Sequence, residues 1–228
     1  GPAAGAAHPP GGVLPRLVPS AEAPMSAARQ QILAAIRRQL PVDAPLPSLD
    51  GPWIRYDNPQ RQFLETLVAV GGRGAVVGDA ADLRAQLAAL IAELGAQRVF
   101  SAVPAAAPGN VPWESIDDGH DLADVDLAIV PGELAVAENA AVWVTDGVLP
   151  QRSAYFLSQH LALVVPKDRL VHTMHEAYQW LADRVPDGRP FAEASFGCFI
   201  SGPSKTADIE QSLVIGAHGA RSLTLFLV

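Results

Sequence analysis

Short runs of consecutive apolar residues alternate with longer amphipathic segments along most of the chain. The apolar runs have the length of β-strands and predict strands at residues 75–77, 98–101, 126–130, 141–145, 161–165, 196–200 and 223–228. These runs are apolar throughout rather than alternating, which is typical of strands that are buried on both faces of a parallel sheet. The order of strands and helices therefore predicts an α/β fold, with helices on both faces of a mostly parallel sheet.

The amphipathic segments predict helices, and several of them have recognisable ends. Asn58 and Asp79 stand where N-caps are expected, and Gly95 stands where a helix would end. Apolar residues recur at helical spacing between these positions. The helices are expected at residues 26–40, 59–70, 80–94, 168–184 and 206–214.

Composition and charge narrow the classes of function. The chain has 228 residues, of which 49% are hydrophobic, and its 16 basic and 24 acidic residues give a net charge of −8. Binding to nucleic acid requires a cationic surface, so we do not expect it. No apolar run approaches the roughly 18 residues of a membrane span, so we expect none. The single cysteine, Cys198, favours a reducing, cytoplasmic setting and excludes an iron–sulfur cluster held by this chain alone.

Residues 1–24 differ from the rest of the chain. They contain six Pro and four Gly but only two charged residues. Such a stretch buries too little apolar surface to offset the entropy of ordering. We therefore interpret residues 1–24 as a flexible N-terminal extension and residues 25–228 as a single α/β domain, with Met25 as a candidate start.

The densest group of small and polar residues follows the predicted strand at residues 196–200. Ligands of open α/β sheets bind beyond the carboxyl ends of the strands, and the start of the predicted helix at 206–214 would favour an anion there. Lys205 adds positive charge. The alternative is that Ser204 or Thr206 merely caps the helix. The candidate ligand-binding residues in this segment are Gly202, Ser204, Lys205, Thr206 and Asp208.

This segment and the residues after it resemble a known family. Residues 202–210 read GPSKTADIE and residues 216–223 read GAHGARSL, a combination that closely resembles the C-terminal signature of the LUD domain, the lactate utilization protein C (YkgG) family. The resemblance implies a three-layer sandwich around a mostly parallel sheet, similar to the NagB/RpiA/CoA-transferase group. It also implies a role in bacterial oxidation of L-lactate to pyruvate beside iron–sulfur partner subunits. The chain has no flavin or nicotinamide fingerprint, so we expect no cofactor and no oxidation of lactate by this chain alone.

A second segment contains the candidate catalytic residue, Glu138. Residues 137–141 read AENAA, where members of the family usually have Ala-Glu-Thr-Gly-Thr. A carboxylate at a strand end can act as a nucleophile or a general base. The alternative is that Glu138 caps a turn or pairs with an arginine. The missing glycine and hydroxyls remove backbone freedom and hydrogen-bond donors, so the resemblance does not carry the family's ligand and activity over to this segment.

Four histidines lie in segments where a site residue would be expected. His160, ahead of a predicted buried strand, and His218, in the signature, are candidate ligand-binding residues because imidazole can hydrogen-bond a carboxylate near neutral pH. Each could instead satisfy a strand-end carbonyl. His172 and His175 are expected on a solvated helix face, and with no third ligand nearby no metal site is expected.

The sequence thus predicts an accessory, cluster-free subunit of a bacterial L-lactate utilisation system that binds an anionic small ligand and iron–sulfur partner subunits. An alternative is a stand-alone transferase or isomerase that acts on a sugar phosphate or acyl-CoA through Lys205, Asp208 and Glu138. A third is a regulatory or scaffold protein whose site has decayed. The mechanistic part of each enzymatic hypothesis requires Glu138, Lys205 and His218 to face one cleft.

Overall fold

The computed structural model describes residues 27–39, 50–147, 149, 151–184, 194–207 and 213–228. The chain divides into two units, Gly1–Ser48 and Leu49–Val228. The first unit contains helix α1 (Ala27–Gln39), as expected from its apolar spacing. The predicted extension at residues 1–24 and the candidate ligand-binding residue Asp208 lie outside the described residues.

The second unit contains helices and strands in alternation. Helices α2 to α5 are Pro59–Ala69, Ala80–Leu94, Ala154–Leu157 and Met174–Asp183. Strands β1 to β11 are Arg73–Val76, Val99–Ser101, Leu127–Pro131, Leu134–Val136, Ala141–Thr145, His160–Val165, Leu170–Val171, Gly197–Ile200, Lys205–Thr206, Val214–Ile215 and Ser222–Leu227. Within the described part of the chain, no helix is both long and apolar enough to cross a membrane.

The ends of α2 and α3 lie where the capping residues predicted them. The Asn58 side chain accepts a hydrogen bond from the backbone N–H of Arg61 at the start of α2. The Asp79 side chain accepts hydrogen bonds from the backbone N–H groups of Ala81 and Asp82 at the start of α3. Gly95 ends α3 in the left-handed conformation, with φ of 61°. Side-chain oxygens satisfy N–H groups that the first turn of a helix leaves unpaired, so both N-terminal ends are defined by local sequence.

Five strands form a parallel sheet in the order β1-β11-β6-β3-β2. The central strands β6 and β11 pair over six positions, with His160 opposite Ser222 and Val165 opposite Leu227. Every neighbouring pair in this sheet is parallel, so the carboxyl ends of all five strands meet at one edge. The predicted α/β class with a mostly parallel sheet is confirmed.

Both faces of the parallel sheet are covered. On one face Leu127 packs with Leu87 of α3. On the opposite face the next residue, Ala128, packs in a core that includes Phe63 of α2 and Val142 of a second sheet. Successive residues of β3 are therefore buried in different cores, which is why the strand is apolar throughout.

The second sheet has the order β7-β4-β5-β8 and was not expected. Strand β5 is antiparallel to both β4 and β8, so the prediction that residues 141–145 and 196–200 belong to the parallel sheet is wrong. All five residues of β5 are buried, because Val142 faces the core between the sheets while Trp143 packs outward with Ala177 of α5. Burial on both faces produces the same apolar run in either kind of sheet.

The helix expected at residues 206–214 does not have those bounds. Thr206 pairs with Val214 and Lys205 pairs with Ile215 as two short antiparallel strands. Residues 208–212 between them lie outside the described residues. A helix dipole therefore cannot be invoked at Lys205, and any anion affinity there has to come from the side chains and the turn.

The helix expected at residues 168–184 begins later than predicted. Leu170–Val171 forms strand β7 beside β4, and the Thr173 side chain accepts a hydrogen bond from Glu176 N to start α5. Leu170 and Val171 were included in the predicted helix because apolar spacing does not distinguish a short strand from the turn that precedes a helix.

Candidate functional site

A cleft of about 490 Å³ lies between the end of β8, helix α4 and the beginnings of β6 and β11. Leu161 and Leu223, the second residues of β6 and β11, lie at its base. The cleft is therefore at the amino ends of the parallel strands. The expectation that the loop after residues 196–200 lies at the carboxyl edge of this sheet is wrong, because β8 belongs to the second sheet.

One wall of the cleft is apolar and aromatic. Tyr155, Phe156, Phe196 and Cys198 line this wall. The Phe156 and Phe196 rings meet edge to face with centroids 6.0 Å apart. Phe199 and Ile200 also line the cleft, because β8 ends at Ile200 beside it.

The two ionisable groups of this wall remain neutral. Burial raises the pKa of the Cys198 thiol, and burial together with the nearby Glu133 carboxylate raises the pKa of Tyr155. The Tyr155 hydroxyl also donates a 2.9 Å hydrogen bond to the Thr145 carbonyl. A thiolate is the reactive form of cysteine, so Cys198 contributes apolar surface here rather than a nucleophile.

The rim of the cleft is polar and contains residues predicted from the sequence. Gly202, Ser204, Lys205 and His218 all line it. Ser204 is anchored on both sides, because its N–H donates to Ala220 O at 2.9 Å and its carbonyl accepts from Gly216 N at 3.0 Å. The two parts of the sequence motif are thus joined by backbone hydrogen bonds at the mouth of the cleft.

The Lys205 ammonium group is held by the backbone. Its Nζ donates a 2.6 Å hydrogen bond to the carbonyl of Val70, the C-cap of α2. A cation at a helix C-terminus is favourable because it offsets the partial negative charge of the exposed carbonyls. Lys205 therefore has a structural role in α2 and also presents positive charge at the cleft rim.

His218 and Thr206 form a pair at the same rim. The Thr206 hydroxyl and His218 Nδ1 are 3.1 Å apart, and His218 is exposed. The described lining of the cleft includes His218 but not Thr206. Thr206 can orient the imidazole through Nδ1, and no hydrogen bond from the described residues occupies the other ring nitrogen of His218.

Glu138 does not join these residues. It is exposed, and its Oε2 accepts a 2.9 Å hydrogen bond from Met174 N at the start of α5. The described residues that line the cleft do not include Glu138. The residue after Glu138 has an indirect link to the cleft, because the cleft residue Ser201 donates from its Oγ to the carbonyl of Asn139 at 2.7 Å. The catalytic role of Glu138 stays a prediction, now with a helix-capping contact as its observed role.

His160 lies at the beginning of β6, away from the cleft lining. Its Nδ1 is 2.7 Å from Ser222 Oγ, across the pair of strands β6 and β11. Burial and the neighbouring Arg221 guanidinium lower the pKa of His160, whereas Asp126 opposes them. The neutral imidazole is therefore the favoured form, and it ties two strand ends together.

His172 and His175 do not lie on a solvated helix face, so that prediction is wrong. The His175 ring stacks on Trp53 with centroids 3.5 Å apart, and His172 Nδ1 accepts a 3.0 Å hydrogen bond from Tyr56 N. Both histidines are half-buried. The contacts come from residues more than a hundred positions earlier, which helical periodicity cannot indicate. Among the described residues, no three His, Cys, Asp or Glu side chains are grouped to hold a metal.

The fold and the cleft define this chain as an α/β domain with a glycine-containing turn at the mouth of an apolar pocket. The model of the LUD domain family matches residues 98–228, more than half of the chain, so the chain belongs to the LUD domain family. The predicted resemblance is confirmed.

Several lactate utilization proteins C are similar to this chain over part of its length. The protein from Shouchella clausii is 32% identical over 110 residues, which cover 47% of each chain. The protein from an Exiguobacterium species is 35% identical over 105 residues, 45% of this chain and 44% of that relative. The chain thus matches about half the length of these curated relatives.

One solved structure has a similar fold. A DUF162 family protein from Deinococcus radiodurans superimposes with a TM-score of 0.53 at 18% sequence identity, covering 75% of this chain and 96% of that one. At this identity the likeness concerns the fold, and it agrees with the three-layer α/β architecture.

Proposed function

We propose that this chain is an accessory subunit of a bacterial lactate utilisation system that oxidises lactate to pyruvate. Membership of the LUD family and the similarity to proteins named lactate utilization protein C support this assignment. The chain has one cysteine, whereas a cluster is usually held by about four thiolates. The electron-carrying clusters therefore belong to partner subunits, and this chain assists them.

We propose further that the cleft at the Gly202 turn binds a small carboxylate with an apolar body. The observation that carries this proposal is the composition of the cleft, in which Lys205 and His218 stand at the rim of an apolar wall. A volume of about 490 Å³ falls within the range of small-molecule sites and exceeds what a three-carbon acid fills. The rim would pair with the carboxylate while the wall takes up hydrocarbon or aromatic surface.

A panel of acids tests the ligand. Thermal unfolding would be measured with lactate, with 2-hydroxy acids of longer side chain and with phenyllactate, and we expect the midpoint to rise most for the larger acids, because a ligand that binds only the native state stabilises it. His218→Ala should reduce that rise by more than half. His120→Ala, which removes another exposed histidine hydrogen-bonded to a neighbour, should leave it unchanged.

Stabilisation by sugar phosphates or CoA esters, with none by carboxylic acids, would contradict this ligand class and favour the transferase or isomerase alternative. If His218→Ala and His120→Ala reduced the ligand-induced rise of the unfolding midpoint equally, the ligand would bind outside this cleft.

A second experiment tests the role in lactate oxidation. The purified chain would be mixed with lactate and an electron-accepting dye, alone and with the cluster-bearing subunits of a lactate-oxidising system. We expect no dye reduction by the chain alone and a rate that rises when it is added to the partners. Dye reduction by the chain alone, or a rate indifferent to its addition, would overturn the accessory role.

A further inference from the structure

A second cleft lies at the opposite end of the parallel sheet from the first. It has a volume of about 320 Å³, and Gly132 and Pro166, which follow the carboxyl ends of β3 and β6, form part of its lining. A Cβ at Gly132 would approach Val142 Cγ1 to 2.5 Å and Val165 Cγ2 to 2.8 Å, so glycine allows the two sheets to meet closely here. Ligands of open α/β sheets gather at this carboxyl edge.

Two arginines lie close to one indole ring in this cleft. The Arg184 Cζ lies 3.7 Å from the centroid of Trp180, and the Arg169 Cζ lies 6.0 Å from it. Both guanidinium groups and the indole line the cleft. Stacking on an aromatic face holds a guanidinium in place without using its N–H donors. These donors point outward in the plane of the guanidinium and can still bind another group.

Neither arginine forms an ion pair with a carboxylate among the described residues. No carboxylate oxygen of the described residues lies within 4.0 Å of a guanidinium nitrogen of Arg169 or Arg184. The cleft contains one acid, Glu133, whose Oε1 accepts a hydrogen bond from the Thr145 hydroxyl on the second sheet. The hydrogen bond from Thr145 leaves the Glu133 charge in place, and two guanidinium groups against this one carboxylate give the lining an excess of positive charge.

We propose that this second cleft binds an oxyanion through the guanidinium groups of Arg169 and Arg184. Guanidinium presents paired donors that match two oxygens of a phosphate or carboxylate group, so two arginines that line one cleft supply the donors and the charge that an oxyanion requires. A phosphate ester and a dicarboxylate share this chemistry. The site is separate from the Gly202 cleft and does not depend on the function proposed for it.

Isothermal titration with inorganic phosphate and with malonate tests the proposal. We expect saturable binding of at least one of them at one site per chain. Arg169→Gln and Arg184→Gln should each raise its Kd about tenfold or more, because each removes charge-assisted hydrogen bonds. Binding of phosphate alone would identify a phosphoryl ligand, and binding of malonate alone would identify a carboxylate ligand.

A matched variant separates this site from general charge effects. Arg152→Gln removes a guanidinium that lies 5.5 Å from the Phe196 centroid, outside the second cleft, and should leave the Kd unchanged. Thermal unfolding of each variant would establish that it is folded. The proposal is overturned if neither anion binds saturably, or if Arg152→Gln weakens binding as much as Arg184→Gln does.

Discussion

At the scale of single residues, Gly202 connects the cleft to helix α2. Its φ of +72° lies in the left-handed region, and a Cβ on this residue would lie 2.7 Å from the Val70 carbonyl oxygen. The same oxygen accepts the hydrogen bond from Lys205 Nζ. The turn, the lysine and the end of the helix therefore converge on one atom, and this convergence brings Lys205 to the cleft rim.

Gly202→Ala is expected to destabilise the protein by about 3 kcal/mol or more. Left-handed strain of about 1–2 kcal/mol for a side-chain-bearing residue adds to the cost of displacing the Val70 backbone. Gly95→Ala is the matched control, since Gly95 has a φ of +61° but a Cβ there would meet nothing within 4 Å. It should cost only about 1–2 kcal/mol. Urea unfolding of both variants measures the difference, and equal losses would contradict the close contact at Val70.

At the scale of elements, the segment before α2 is fixed by three different contacts to the first turn of α5 and to His172 just before it. Trp53 stacks on His175, Tyr56 N donates to His172, and Arg55 pairs with Glu176 at 2.7 Å. Glu176 also accepts a hydrogen bond from the backbone N–H of His172. The start of α5 thus serves as the attachment point for a chain segment that has no regular secondary structure.

A double-mutant cycle with Trp53→Ala and His175→Ala is expected to show this attachment. Aromatic pairs contribute about 0.5–1.5 kcal/mol beyond burial, so the coupling energy in urea unfolding should fall in that range. The control cycle pairs Trp53→Ala with His120→Ala, whose ring contacts Asp118 instead, and should be additive within about 0.5 kcal/mol. Additivity in the first cycle would exclude the stacked pair as a stabilising contact.

At the scale of the whole molecule, local signals in the sequence predicted the elements well and their assembly only in part. Caps such as Asn58 and Asp79 act within one helical turn, so they could be read directly. The assignment of β5 to a second sheet could not, because its residues are buried on both faces like those of the parallel strands. Thr206 and Val214, the two ends of the helix predicted at residues 206–214, instead pair as strands β9 and β10. Hydrogen bonds between residues distant in sequence determine this pairing, and the helical spacing of apolar residues does not indicate them.

The candidate site follows the same division. Lys205 and His218 belong to one short motif and were expected together, and they line one cleft. Glu138 belongs to a distant segment of the sequence, and its side chain contacts the start of α5 instead. The aromatic wall was missed because Tyr155, Phe156 and Phe196 converge only after α4 and β8 have folded. What the sequence lacked in each case was the relative placement of the two sheets.

The hydrogen bond from Lys205 to Val70 lowers the entropy cost of binding an anionic ligand in the cleft. A free lysine side chain loses about 2 kcal/mol of rotamer entropy when a ligand immobilises it. Here much of that loss occurs during folding, because the ammonium is already tethered to the helix end. The ammonium group carries three hydrogens, so Lys205 can donate a second hydrogen bond to a bound anion while it keeps its hydrogen bond to Val70.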